Sequence, residues 1–327
     1  MMRTLLLSLL VLLVSASLVP STIHAQVGEP GGFSFLRLEP SARAAALGGS
    51  YSAVYGSDIN AVFYNPALVN EQMHNALSVS YLNHLSDINA GFVAYGRHYD
   101  GLGTFSAGLR FLSYGDLERA SATGERLGTF SASDVAFTIG LARMYSERVH
   151  YGVNAHIVRS GIDNASASAL AFDAGVLYVV PAAELTLSAA VRNAGVTLDS
   201  FGTTRDELPL DVRVGVTKRL RYLPLLVSVM GYNLHNLGEG TADDATALDN
   251  VLHHVTLGGE FQFSQAFNVR FGYNHRLHES LKLKSRLDFA GVGFGFGLKV
   301  TRVSIDYAYN SWSSNGGLHQ FTLGTRL

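Results

Sequence analysis

The residues that could do chemistry in this chain are scattered, and no arrangement of them matches a catalytic site. Twelve histidines are spread along 327 residues, and the adjacent pair His253 and His254 should point to opposite faces of a strand. Serine, histidine and aspartate all occur, but no nucleophile-elbow or zinc-protease motif frames them. We therefore expect no enzymatic activity, no catalytic residue, no metal site and no cofactor.

The segment from Glu239 to Asp249 is the best candidate for binding a divalent cation. Asp243, Asp244 and Asp249 supply carboxylates, but the spacing and the central glycine of an EF-hand loop are missing. A solvated extracellular loop is therefore the simpler interpretation. The chain has no cysteine, which excludes disulfides and thiolate metal ligands. With a formal net charge of −2 and no basic tract, it is not expected to bind nucleic acid.

Charged residues with inward positions are more informative, because charges in a confined interior need partners or water. Arg43 and Asp58 lie in an Ala- and Gly-rich stretch before the first strand and are expected to pair with the wall that surrounds it. By strand alternation, the candidate partners in the wall are Arg97, Arg110, Arg143, Asp173, Arg192, Asp211 and Arg213. The alternative is that each of these charges faces water in the lumen and has no specific role.

The elements that must position these residues are membrane strands. Hydrophobic residues make up 47% of the chain, yet after the leader no apolar run is long enough for a membrane-spanning helix. Residues 1–25 have the basic, apolar and small-residue regions of a cleaved signal peptide. Fourteen alternating segments follow, at about 76–84, 88–98, 103–114, 133–144, 149–160, 168–180, 184–194, 209–219, 223–234, 251–264, 266–275, 287–300, 302–311 and 317–327.

The joints between these segments alternate in length. Six tight joints follow even-numbered segments, and the long joints, such as those from Gly115 to Ala132 and from His235 to Asn250, follow odd-numbered ones. Outer-membrane barrels have short turns on the periplasmic side and longer loops outside. The sequence thus predicts an all-β, 14-stranded antiparallel transmembrane barrel over residues 76–327, with both termini periplasmic, in a Gram-negative outer membrane.

Residues 26–75, here named the hatch segment, do not alternate as membrane strands do. They are too apolar for a disordered tail, and we expect them to fill the barrel lumen. Gly291, Gly293, Gly295 and Gly297 on the inward face of the twelfth strand would let a backbone approach closely. The alternative is that these glycines only permit the barrel to curve.

Two runs in the hatch segment resemble those of a known family. The start of FadL-like outer-membrane proteins, whose hatch carries an Asn-Pro-Ala motif, is similar to SARAAALGG from Ser41 and AVFYNPA from Ala61. Within them the chain looks most like the PorV/PorQ family of the type IX secretion system, also in LSVSYLNHLSDINAGFVAYGRH and FGYNHR. The residues that the resemblance singles out as the hatch motif are Ser41, Arg43, Gly48, Gly49, Asn65, Pro66 and Ala67.

The resemblance implies two functions that the residues alone do not separate. As a PorV/PorQ-type protein, the chain would belong to the attachment complex of the secretion system. It would anchor a PorZ-like surface protein beside PorU and PorV components, with outer-membrane lipid around it. As a FadL-like protein, it would instead be a channel for hydrophobic compounds. That alternative rests on the fold alone.

Overall fold

The protein forms a closed barrel of fourteen antiparallel strands in the computed structural model, which describes residues 32–83, 88–121, 123, 125–202, 205–238, 246–281, 289–313 and 316–327. Neighbours in the chain are neighbours in the wall, and β1 closes the barrel against β14. The strands are β1 (Ala76–Asn83), β2 (Asn89–Tyr99), β3 (Gly103–Ala120), β4 (Arg126–Ser146), β5 (Val149–Ile162), β6 (Ala165–Val180), β7 (Leu185–Asp199), β8 (Asp211–Arg219), β9 (Leu225–Gly231), β10 (Val255–Gln262), β11 (Phe267–Asn274), β12 (Val292–Val300), β13 (Val303–Ser313) and β14 (Gly316–Arg326).

The prediction of fourteen antiparallel strands is confirmed, and side-chain alternation explains why it was possible. Along β5, Tyr151, Val153 and Ile157 are exposed on the outer surface, while Asn154 and His156 between them are buried. A strand places successive side chains on opposite faces, so one face meets lipid and the other meets the interior. The register runs without interruption where the barrel closes, from Ala76 opposite Arg326 to Asn83 opposite His319.

The two ends of the barrel differ in their connections. The connections after even-numbered strands are short, as at residues 100–102, 147–148 and 301–302, and we name this side the short-loop end. The opposite side, the long-loop end, carries the connections 200–210, 232–254 and 275–291.

The predicted long joint from Gly115 to Ala132 is wrong. Most of it is strand, because β3 and β4 continue past the rest of the wall and remain paired from Asp116 opposite Ser131 to Ala120 opposite Arg126. Polar residues occupy both faces of this extension, which hid its alternation.

The predicted bounds of three strands at the long-loop end are wrong, and two short helices occupy part of this region. Helix α2 (Ala247–His253) occupies residues assigned to the start of the tenth strand, and α3 (His275–Leu281) begins where the eleventh ends. The twelfth begins at Val292, five residues later than predicted. His253 and His254 therefore end a helix and do not point to opposite faces of a strand; both are buried, with ring centroids 5.7 Å apart.

The hatch segment, described from residue 32 onward, contains one short helix, α1 (Ala42–Ala46), and four 3₁₀ turns (Ser34–Arg37, Ile59–Phe63, Pro66–Leu68 and Glu71–Met73). Its apolar side chains form a buried cluster with inward-facing residues of the wall, including Ala94, Ala142 and Leu177. The predicted leader, residues 1–25, lies outside the described residues. Among the described residues, no helix is long and apolar enough to cross a membrane.

Candidate functional site

Helix α1 of the hatch segment packs directly on the wall through small residues. Ser41 begins the helix, and its hydroxyl accepts a hydrogen bond from the backbone N–H of Ala44 at 3.3 Å. A Cβ at Gly293 would lie 2.7 Å from the carbonyl oxygen of Ala45, and one at Gly295 would lie 2.6 Å from the Cβ of Ala46. A side chain at either glycine would therefore displace α1, so these glycines admit the helix.

The turn after α1 depends on two glycines with backbone angles that other residues rarely adopt. Gly48 has φ of +66° and Gly49 has φ of +83°. A Cβ on Gly48 would lie 2.7 Å from the backbone nitrogen of Tyr273, and one on Gly49 would lie 2.8 Å from Glu39 Oε1. Both positions thus need glycine for the local conformation and for the closeness of the neighbouring atoms.

The Asn65-Pro66-Ala67 motif is fully buried against β5 and β6. The Asn65 side chain accepts a hydrogen bond from Ala67 N at 3.0 Å and donates one to the carbonyl oxygen of Ser52 at 3.1 Å. A Cβ at Gly152 would lie 2.6 Å from the Pro66 carbonyl oxygen. The motif therefore closes its own turn and seats it on the wall.

Side chains of the wall also satisfy backbone carbonyls of the hatch segment. Arg110 donates to the carbonyl oxygens of Leu36 at 2.8 Å and Phe63 at 3.3 Å, and its guanidinium lies over the Phe63 ring. Asn154 donates to the Val62 carbonyl at 2.8 Å. Because the irregular backbone has few partners of its own, these bonds replace the water it loses on burial.

Arg43 joins the hatch segment to the wall through a bidentate ion pair. Its Nε and Nη2 donate to the two carboxylate oxygens of Glu260 at 2.8 Å and 3.0 Å. Arg270 donates to the same carboxylate at 2.7 Å and also binds Asp306. Two guanidiniums and two carboxylates thus form a chain across β10, β11 and β13, with the hatch segment at one end.

Within the hatch segment, Asp58 supports this ion pair indirectly. Its carboxylate accepts a hydrogen bond from the Tyr51 hydroxyl at 2.8 Å and lies 3.9 Å from Arg43. Burial alone would lower the pKa of Arg43, but the nearby Glu260, Tyr51 and Asp58 outweigh it and hold that pKa above its ordinary value. Burial raises the pKa of Tyr51, so its hydroxyl remains a donor.

Of the seven charged wall residues proposed as inward partners, five face inward and two do not. Arg110, Asp173, Arg192, Asp211 and Arg213 are buried or nearly so on the inner face. Arg97 and Arg143 are exposed on the outer face at the short-loop end, so that part of the prediction is wrong. Charges near the rim of a barrel can face either way, because water and lipid headgroups surround it.

The wall partner of Arg43, Glu260, was missed by sequence reasoning, together with Arg270 and Asp306. Strand alternation could have identified Glu260 as an inward residue, since Thr256, Gly258 and Glu260 alternate with the outward Leu257 on β10. Elsewhere in the wall, His156 pairs with Asp173 at 2.8 Å. Among the described residues, no group of three or more acidic or histidine side chains is arranged to hold a metal ion.

Among the described residues, the lumen contains a cavity toward each end. A cavity of about 290 Å³ opens toward the long-loop end and is lined by Ala45, Gly49, Met230, Trp312 and Leu318 among others. A second cavity, of about 490 Å³, lies toward the short-loop end and is lined mainly by polar and charged residues. Arg43, Asp58, Glu260, Arg270 and Asp306 are among them.

Comparison with known proteins supports the fold. The chain matches no protein-family model and no curated protein. Among solved structures, it is similar to a TodX mutant described as a monoaromatic hydrocarbon channel, with 13% identity, a TM-score of 0.58, and 88% of this chain and 99% of that chain covered. The fold is that of the FadL-type outer-membrane barrels.

Two further structures agree with this assignment. The toluene transporter TodX of Pseudomonas putida is 12% identical, with a TM-score of 0.53 over 88% of this chain and 96% of that chain. A FadL homologue of Pseudomonas aeruginosa is 11% identical, with a TM-score of 0.51 over 92% of this chain and all of the other. At such low identity, the likeness extends to the architecture and not to the ligand.

Proposed function

We propose that this chain is an outer-membrane channel for small hydrophobic or amphipathic compounds, with the hatch segment as its gate. The observation that carries this proposal is the position of helix α1 between the two cavities. Ala45 lines the cavity at the long-loop end, and Arg43, two residues earlier on the same helix, lines the cavity at the short-loop end. One short helix therefore forms the partition between two chambers.

The two chambers lie along the same side of the barrel. Both are lined by residues of β1, β10, β11, β13 and β14. Leu82, Met230, Trp312 and Leu318 give the chamber at the long-loop end an apolar part that can accept a hydrophobic molecule. Passage to the polar chamber then requires α1 to move away from its contacts on β12 and from Glu260.

A disulfide that ties the hatch segment to the wall tests the gate. The hydroxyl oxygens of Ser50 and Ser228 lie 3.0 Å apart, so the double variant S50C/S228C places two sulfurs in reach of each other. The matched control is T217C/S228C, which uses the same wall cysteine but joins it to β8, again over 3.0 Å. The wild-type chain has no cysteine that could interfere.

Uptake of radiolabelled toluene by cells that rely on this protein is the readout. Oxidised S50C/S228C should lose uptake and regain it with reductant, whereas T217C/S228C should transport under both conditions. Uptake by oxidised S50C/S228C equal to that of the wild type would contradict the gate. Absence of protein-dependent uptake in every strain would contradict the channel.

A second candidate function is anchoring of a surface partner, as in the type IX secretion system. It is supported by the PorV/PorQ resemblance and by the extension of β3 and β4, which projects from the long-loop end as a paired ribbon up to Ala120 and Arg126. Such a ribbon offers backbone and side chains for docking a PorZ-like protein, alongside PorU and PorV components. In this function the hatch segment, packed against the inner wall, serves to stiffen the barrel that carries the partner.

Deletion in the native organism separates the two functions. An anchor predicts that the surface partner is released and that secreted cargo remains unprocessed, with uptake of hydrophobic compounds unchanged. A channel predicts the reverse. Shortening the ribbon between residues 115 and 131 to a tight turn should reproduce the deletion only if the ribbon docks the partner.

A further inference from the structure

The two arginines that face outward, Arg97 and Arg143, lie on either side of one aromatic residue. Arg97 on β2 is opposite Phe105 on β3, and Phe105 is opposite Leu141 on β4, two residues before Arg143. Alternation along the strands puts Arg97, Phe105 and Arg143 on the outer surface, and all three are exposed. The pair thus brackets Phe105 at the short-loop end.

Neighbouring groups hold both guanidiniums near the rim. Arg97 lies over the ring of Tyr99, 5.4 Å from its centre, and Arg143 donates to the carbonyl oxygen of Gly101 at 3.2 Å. The nearest acidic residue in this turn, Asp100, pairs with His98 at 3.5 Å. In the part of the chain that the structure describes, neither arginine has a carboxylate within 4.0 Å.

The spacing suits one ligand shared by both side chains. Adjacent strands lie about 4.8 Å apart and rise about 3.4 Å per residue, which puts the two arginine Cα atoms about 12 Å apart. Two arginine side chains that lean toward each other span that distance and present several N–H donors to one group. Arginine forks match the oxygens of a phosphate better than those of a neutral headgroup.

The surroundings indicate that this phosphate belongs to a lipid. Tyr99, Phe105 and Tyr151 surround the arginines on the outer surface, and the Tyr99 and Phe105 rings meet edge to face at 5.7 Å. Aromatic side chains form girdles at the level of lipid headgroups on such barrels. Farther from the rim, the outer face continues as Leu109, Phe137 and Ile139, which are apolar and exposed.

We propose that Arg97 and Arg143 form a binding site for the phosphate of an anionic phospholipid in the leaflet at the short-loop end. The acyl chains of that lipid lie along Phe105 and the apolar residues beyond it. Lys218, the outward basic residue on β8, lacks this arrangement, because the residues opposite it on β7 and β9 are Leu185 and Val227. The two arginines place the site on β2, β3 and β4.

Lipid retention on the purified full-length protein tests this site. Native mass spectrometry after exchange into equal amounts of phosphatidylglycerol and phosphatidylcholine should show preferential binding of phosphatidylglycerol. The preference should fall about fivefold for each arginine replaced, as in R97Q, R143Q and R97Q/R143Q. The matched control R221Q/R302Q removes two exposed arginines in turns of the same end and should keep the preference.

Two outcomes would overturn the proposal. Equal phosphatidylglycerol preference in R97Q/R143Q and in the wild type would show that the arginines do not bind the lipid. Complete competition by inorganic phosphate, without any contribution from the acyl chains, would show that a free anion and not a lipid is bound. A heat-modified gel shift of each variant establishes that the barrel is folded, and R97K/R143K should retain part of the preference because it keeps the charge.

Discussion

The Arg43 guanidinium donates two hydrogen bonds to the carboxylate of Glu260, which ties the hatch segment to β10. The Glu260 side chain is 1% exposed, and Arg270 approaches the same carboxylate from the wall. Removing one member of a buried group of paired charges lowers the free energy of unfolding by more than the whole group contributes to it. The reason is that the remaining charges stay buried without a partner. This pair is therefore the point at which a single substitution should loosen the hatch segment.

Replacing Glu260 by Gln should destabilise the protein by about 3 to 5 kcal/mol, since Arg43 is left buried without its carboxylate. Urea unfolding in lipid vesicles measures the loss, and trypsin should cut after Arg43 faster than in the wild type. The control is R119Q, which breaks the exposed pair with Asp163 and should cost about 1 kcal/mol or less. Equal effects of E260Q and R119Q would contradict the role of the pair.

A glycine on β3 provides a direct test of contact between the wall and the hatch segment. A Cβ at Gly108 would lie 2.6 Å from the ring of the buried Phe63. The substitution G108A should therefore lower the free energy of unfolding, measured with urea, by about 1 to 3 kcal/mol. Gly91 on β2 has no atom within 4 Å of a built Cβ, and G91A should be neutral or slightly stabilising.

The second variant in this test is F63L, which makes room for the new methyl group. The double variant G108A/F63L should recover part of the loss, with a coupling of about 0.5 to 3 kcal/mol. Additive losses would mean that Gly108 serves the curvature of the strand and not the contact with Phe63.

The architecture was predictable from sequence because alternation along a strand is local. A strand can be recognised from side-chain alternation within about ten residues. In β5 the alternation is carried by Tyr151, Val153 and Ile157. The failures occur where this local rule stops applying. The extension of β3 to Ala120 has polar residues on both faces. Helix α2 occupies residues 251–253 of the predicted tenth strand, and α3 takes only His275 of the predicted eleventh.

The candidate site was only partly predictable, for a different physical reason. Strand alternation shows which side of the wall a residue faces, and it placed Arg110 and Asp173 correctly. It carries no information on which hatch residue lies opposite, since the hatch segment has no repeating geometry. The pairing of Arg43 with Glu260, 217 residues apart, depends on that irregular path.

The orientation of the barrel remains a prediction from loop lengths, with both termini periplasmic. Epitope tags at Gly124 and Thr241 should be accessible on intact cells, because both positions belong to connections at the long-loop end. A tag at Ala182, in the turn between β6 and β7, should be accessible only after permeabilisation. Labelling at Ala182 on intact cells would reverse the assignment. Gly124 and Thr241 themselves lie outside the described residues.

A pH-dependent change is expected in the helices at the long-loop end, and His253 is its source. Burial lowers the pKa of His253, and the positive Arg276 together with His254 and His275 lowers it further, while Glu279 opposes the shift. Among the described residues of these two helices, Asp249 lies on α2 and His278 on α3. The folded state therefore favours neutral His253, whose Nε2 is buried without a partner among the described residues.

The sign of the effect follows from which state binds the proton first. At about pH 7.5 and above, His253 is neutral in both the folded and the unfolded segment, and its contribution to stability is complete. As the pH falls below that value, the unfolded segment takes up a proton before the folded one does, so α2 loses stability until the lowered pKa is passed. Amide exchange in α2, corrected for the intrinsic rate, should rise between about pH 7.5 and pH 5. H253Q should flatten this dependence and H74Q, at the short-loop end, should preserve it; an unchanged pH dependence in H253Q would exclude His253 as the source.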